Sequence, residues 1–152
     1  ASFGLIFTLP ADYDKISFYG LGAKDNYADR LRGAKLGIFH STTKDEIEPY
    51  LRPQECGNHC DCRWFEVKNN LGYGLRVFNY QRPFSASALP YNPHELENAR
   101  HSYDLPQIYH SYLRCSLAQA GVGGDDSWGA PILEEYLVKN EDKHFEFYLV
   151  GI

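Results

Sequence analysis

The sequence predicts an all-β fold, an antiparallel sandwich or barrel carrying one short helix, and three observations predict it. Short runs rich in Phe, Tyr, Leu and Val recur between turn signals along the whole chain. Two of these runs alternate apolar and polar residues with period two, as half-buried strands do. No stretch shows the strand-helix-strand rhythm of a parallel sheet. The 12 Tyr, 9 Phe and 2 Trp among 152 residues strengthen the bias toward strands.

The predicted strands are residues 3–9, 16–21, 63–67, 74–79, 84–89, 108–117, 133–138 and 144–150. Alternation is clearest where Tyr109, Leu113, Cys115 and Leu117 share one face and His110, Arg114 and Ser116 the other, and again at Phe145, Phe147 and Leu149. Asn69-Asn70 followed by Gly72 joins two runs as closely as a hairpin does. One segment, residues 92–100, reads as helix. Asn92 suits the cap, Pro93 the first helical position and Glu95 the capping box, while Arg100 suits the carbonyl end. With no repeat, low-complexity tract or linker, residues 1–152 are expected to form one domain.

A chain of 152 residues buries roughly 70% of its unfolded surface and needs no staple to hold a core. Charged residues at 23% against 43% hydrophobic exclude a disordered chain. The net charge of -5, with no run of basic residues, argues against nucleic acid as a partner. The longest apolar stretch, residues 3–9, is far short of the ~18 residues of a helical span, so no membrane partner is expected. A chain that opens on Ala1 and contains no Met reads as a processed or excised portion of a longer polypeptide.

Three of the four cysteines fall in Cys56-Gly57-Asn58-His59-Cys60-Asp61-Cys62, and the fourth is Cys115. Zinc sites use two ligand pairs with a long span between them, and the second pair is missing, so no metal is assigned. Free thiols filling apolar space, or one disulfide in an exported parent, both fit. The compartment stays open, with cytoplasmic favoured over periplasmic or exported. The six histidines show no paired metal spacing and read as surface or capping residues.

Chemistry is most concentrated in Gly121-Val122-Gly123-Gly124-Asp125-Asp126-Ser127-Trp128-Gly129. Four glycines in nine residues imply positive φ or close backbone approach, and they place Trp128 on a loop tip. Two readings stand. In one, the Asp side chains bond nearby amides and Trp128 plugs the end of the sandwich. In the other, Trp128 offers a flat apolar face to a sugar ring, supported by Asp125, Asp126 and Ser127. A phosphate loop is excluded because no Lys follows the glycines. A second polar loop, Arg52-Pro53-Gln54-Glu55-Cys56-Gly57-Asn58, precedes the strand carrying Trp64, and no Ser occupies a nucleophile-elbow frame.

Read in order, Gly20-Leu21-Gly22, Asp25-Asn26-Tyr27-Ala28-Asp29-Arg30, the Pro53-Gln54-Glu55-Cys56-Gly57-Asn58 run and the Gly-Gly-Asp-Asp-Ser-Trp run closely resemble the C-terminal domain of family 2 β-galactosidases. The resemblance covers nearly the whole chain. It implies an antiparallel β supersandwich like that of galactose mutarotases, of which this chain is about the C-terminal half. It also implies retaining hydrolysis of terminal β-D-galactose by two Glu carboxyls ~5 to 5.5 Å apart. Both come from a separate barrel domain, so no catalytic residue is expected in this chain. Any Mg or Na of the parent enzyme is likewise expected in other domains, leaving this chain without a cofactor. What carries over is Trp128 as substrate-contacting, with Asp125, Asp126 and Ser127 as its loop and Glu55 and Asn58 at the pocket rim. Cys56 stands where relatives commonly have Asn, and Cys60 and Cys62 also depart from many of them.

The expected partners are a β-galactoside, the remaining domains or large subunit of the enzyme, and further copies of the chain, because a divided supersandwich leaves strand edges unpaired. Two alternatives come from other classes: a free-standing carbohydrate-binding sandwich using Trp128 and Trp64, and a mutarotase-like epimerase using His110 with Glu135.

Overall fold

The computed structural model describes residues 1–126 and 128–152. In chain order the strands are β1 (Ser2–Pro10), β2 (Lys15–Gly22), β3 (Lys35–Thr42), β4 (His59–Cys62), β5 (Trp64–Lys68), β6 (Gly74–Phe78), β7 (Phe84–Leu89), β8 (His110–Gln119) and β9 (Tyr148–Gly151). Helix α1 (Pro93–Asn98) lies between β7 and β8. The strands form two antiparallel sheets, ordered β1-β8-β7-β4 and β3-β2-β5-β6-β9, so the all-β sandwich expected from the sequence is what the chain forms.

The core lies between the sheets. Ile16 and Phe18 of β2, Phe65 and Val67 of β5 and Val77 of β6 bury against Cys62, Phe84, Ala86, Ala88, Leu113 and Cys115 of the other sheet. Phe18 stacks on Phe65 at 5.5 Å between ring centroids and tilts against Phe39 at 5.4 Å. Each such aromatic or aliphatic side chain contributes about 1.5–3 kcal/mol by leaving water.

Local signals act as the sequence suggested at the β5-β6 hairpin and at α1. Asn69 Oδ1 accepts from the amides of Leu71 and Tyr73, and Gly72 takes φ +87°. Asn92 Oδ1 accepts from the His94 and Glu95 amides at 2.9 Å, and the Asn92 amide donates to Glu95 Oε2 at 2.8 Å. The helix ends before Arg100, whose amide donates to Asp104 Oδ2 instead.

Four expectations are corrected. Residues 133–138 are not a strand: the span holds a 3-10 turn, Glu134–Tyr136, pairs with no strand among the described residues, and straps the glycine loop through Tyr136 O. Of residues 144–150, the paired strand is confined to Tyr148–Gly151, while Phe145 and Phe147 pack on the core beneath Phe84 and Phe7. Strands β3 and β4 were not anticipated. Gly37, His40 and Ser41 blur the alternation of β3, and β4 is four residues of His, Cys and Asp. Finally, β8 is buried on both faces: Arg114 and Ser116, expected to face solvent, are 8% and 2% exposed. A polar layer from the loops after β2 and β3 covers that face, joined by a small cluster of Cys56, Leu89 and Leu96.

Candidate functional site

The outer face of β7 and β8 organises the loops that carry the sequence motifs. Ser87 pairs with Arg114 across the two strands, and Arg114 Nε donates to Ser87 Oγ at 3.2 Å. The guanidinium then donates to both carboxylate oxygens of Glu55, Nη1 to Oε2 at 2.9 Å and Nη2 to Oε1. The Tyr27 hydroxyl adds a third bond to Glu55 Oε1 at 3.2 Å. Burial pulls the Arg114 pKa down, but the bonds and charge of Glu55 outweigh it and raise the net value, so the guanidinium stays charged. Burial, then the Glu55 charge, pushes the Tyr27 phenol far above its ordinary range, leaving it a donor. Glu55 is therefore a strut with both oxygens engaged, not a free acid or base.

The motif around Asn26 is zipped to the one around Asn58. The Asn26 amide donates to Asn58 O at 2.7 Å, Asn58 Nδ2 donates to Asn26 O at 2.8 Å, and the Cys60 amide donates to Asn26 Oδ1 at 2.8 Å. Both Asn side chains are 1% exposed. The Gly57 amide donates to Asp25 Oδ2 at 3.2 Å. Burial raises the Asp25 pKa, and the Gly57 bond works against that rise.

The glycine loop leaves the end of β8. The Gly121 amide donates to Tyr136 O at 2.9 Å and the Gly123 amide to Asp29 Oδ2 at 2.7 Å. Gly123 and Gly124 take φ of +67° and +93°, a region open to glycine at no steric cost. Further on, Asp126 Oδ1 accepts from the Trp128 amide at 2.8 Å and the Ala130 amide at 3.1 Å. Trp128 itself is 92% exposed.

Two clefts flank this loop. One, of about 540 Å³, is lined by Asp29, Arg30, Arg32, Tyr50 and Asp125 together with the glycines. The other, of about 510 Å³, adds Gln54, Glu55 and Gln119. The structure thus brings Glu55 and Asp125 to one loop cluster, with Asp126 bonding the loop from within. Asn58 lies behind the cluster, buried and bonded to Asn26; Trp128 lines neither cleft; Ser127 lies outside the described residues. Trp64 sits on the other sheet, with Arg76 5.3 Å from its ring centroid, in a cleft that does not include Trp128. His110 opens β8, a strand about 30 Å long at roughly 3.3 Å per residue, while Glu135 shares a cleft with Leu117, Ala118 and Gln119 at its other end, so the two do not converge on one ring.

Sequence reasoning missed two side-chain contacts made by buried residues. Arg114 with Glu55 is one, and the signal was a charged residue inside the run Leu113-Arg114-Cys115 of β8. The other is His59, expected at the surface but fully buried: its ring lies tilted against Phe18 at 4.0 Å between centroids, with Nε2 2.7 Å from Glu46 Oε2 and Nδ1 3.2 Å from Leu21 O. All four cysteines are free thiols. Burial raises the pKa of each, to about 11 for Cys56 and Cys115. Among the described residues no three His, Cys, Asp or Glu side chains converge in a metal-holding group.

Comparison with known proteins decides the family. The family model described as beta galactosidase small chain matches residues 1–149. The chain belongs to the beta-galactosidase small-chain family. Among curated proteins, this small chain is 47% identical over 137 residues to beta-galactosidase BgaC of Bifidobacterium adolescentis, covering 89% of the chain and 13% of that protein. It is 41% identical over 146 residues to a beta-galactosidase of Halalkalibacterium halodurans, covering 95% of the chain and 14% of that protein. It is 35% identical over 156 residues to the beta-galactosidase small subunit of Latilactobacillus sakei, covering 95% of the chain and 48% of the subunit. The small chain therefore spans about half the length of that subunit and a much smaller share of the long relatives.

Proposed function

We propose that this small chain works as part of a retaining β-galactosidase, completing the sugar pocket with Trp128 while the catalytic Glu pair comes from another domain or subunit. The supporting observation is the tip of the glycine loop: Trp128 is 92% exposed, yet its backbone is held by Asp126 and the loop behind it by Asp29. An indole offers a large apolar area, and keeping it in water costs about 25 cal/mol per Å², which a covering sugar ring or domain recovers. Held backbone and free ring together suit a surface that receives a ligand assembled elsewhere.

In this reading the carbohydrate is a terminal β-D-galactoside, any Mg or Na is held by other domains, and residues 1–152 act as one domain of the larger enzyme. The outermost strands β1, β4, β3 and β9 suit pairing with the rest of the enzyme and with further copies. Asp125 and Glu55 shape the rim, and Asn58 holds the Asn26 loop behind it.

The test is steady-state hydrolysis of nitrophenyl β-galactoside by the complete enzyme carrying Trp128→Ala. A KM raised by roughly ten-fold, with Trp128→Phe restoring most of it, is the expected result. Unchanged kinetics in Trp128→Ala reject a sugar-contacting role. Millimolar sugar binding by the chain alone, lost on substitution of Trp64, would favour a free-standing binding module instead.

A further inference from the structure

We infer that Asp29 is the positioning residue for Trp128: its carboxylate fixes the root of the glycine loop and thereby the place where the indole is presented. The inference rests on the reading of Trp128 given above for its effect on catalysis, but not for its geometry. Asp29 Oδ2 accepts from the Gly123 amide at 2.7 Å across 94 residues of sequence, the one side-chain bond that ties the loop between β8 and Asp126 to the Tyr27–Arg30 turn among the described residues. The same carboxylate lies against Gly121 so closely that a Cβ there would stand 2.3 Å from Oδ2. A side chain at position 121 would therefore displace the Asp29 carboxylate from this place.

Asp29 is itself held from the sheet. The Arg30 amide donates to Tyr27 O at 2.7 Å, closing the turn that presents Asp29. Tyr27 donates to Glu55, and Glu55 is gripped by Arg114 of the central strand β8. A continuous series of bonds therefore runs from the middle of the sheet to the loop. Among the described residues no Lys, Arg or His forms an ion pair with Asp29, so the Gly123 amide is its defined partner. A carboxylate receiving a backbone amide forms one of the stronger hydrogen bonds, and its directionality fixes position as well as energy.

The experiment labels the complete enzyme with 5-fluorotryptophan and assigns position 128 by the resonance missing from Trp128→Phe. In Asp29→Ala that resonance is expected to move or broaden while the others hold. In Asp29→Asn, which keeps an acceptor oxygen for Gly123, it should stay in place. In parallel, Asp29→Ala should raise KM for nitrophenyl β-galactoside about as much as Trp128→Ala does, with kcat changed less, and should add less than about two-fold when Trp128 is already Ala.

An unmoved resonance in Asp29→Ala overturns the inference, as does collapse of every tryptophan resonance in both variants, which would mark Asp29 as a general folding residue. Fully additive KM effects in the double variant also overturn it. If the resonance moves but neither Asp29→Ala nor Trp128→Ala changes KM, the sugar-contacting reading fails while the positioning role of Asp29 stands.

Discussion

On one face of the sheet β1-β8-β7-β4, Phe84, Ala86, Leu113 and Cys115 bury against Phe18 and Phe65 through shape and apolar area alone. On the other face of the same strands, Ser87 and Arg114 are as deeply placed but are joined to Glu55 and Tyr27 by directed bonds. The first face holds two sheets together and tolerates some rearrangement of side chains. The second sets the coordinates of loops, because a bidentate guanidinium bond fails when its partner shifts by an ångström. The motifs that carry the family resemblance lie on the second face or on the loops it fixes. The loops of the candidate site are thus placed by a buried polar layer, not by the apolar core that dominates stability.

That contrast can be broken by substitution. Phe18→Ala, on the apolar side, should cost about 4 kcal/mol of stability by opening a core cavity, while the enzyme that remains folded keeps its KM. Denaturant midpoints and kinetics on the same sample check both halves. Arg114→Ala should cost about 3 kcal/mol, because it leaves the Glu55 carboxylate without its cation, and it should also disturb KM through the loop cluster. A stability loss under about 1 kcal/mol in Arg114→Ala would show that the polar layer is a bystander.

The apolar surroundings of the thiols also set a smaller, pH-dependent part of the stability. Cys56 and Cys115 hold their protons to about 11 when folded, against an ordinary value of 9.0. Between those values the unfolded thiols are ionised and the folded ones are not, so the unfolded state gains. Stability should fall as pH rises from 9.0 to about 11, by roughly 1 kcal/mol per pH unit for each thiol, and these thiols contribute no slope below that window. Cys115→Ala should flatten the slope by one thiol; an unchanged slope would mean that burial does not hold its proton. Smallest of all, Asn92→Ala removes the cap of α1 at a cost of about 1 kcal/mol, read from the thermal midpoint, with KM untouched.

Strands with aromatic or aliphatic runs were legible because their burial is written in local alternation, as at β7, where the predicted and observed residues coincide. The capping box of α1 was legible for the same reason, each partner lying within three residues. Strand β3 was not, since Gly37, which leaves room for the Phe39 ring, removes a side chain that would have shown its period, and His40 and Ser41 blur the rest. Residues 133–138 carry a strand's composition without a strand's neighbour. At the site, Glu55 and Asp125 could be placed by motif, but Asp29 with Gly123 and Arg114 with Glu55 are joined across 94 and 59 residues. No local pattern encodes such pairs, and they become visible when the sheet brings their loops together.

The proposed role gives this chain part of a sugar pocket and leaves the catalytic carboxyls to the rest of the enzyme. Hydrolysis of nitrophenyl β-galactoside by the chain alone, and by the chain mixed with the remainder of its enzyme, tests it most directly. Activity in the mixture, absent from either component and reduced when the added chain carries Trp128→Ala, is the predicted result. Activity in the chain alone would contradict the account, because it would require a catalytic carboxyl pair within these 152 residues.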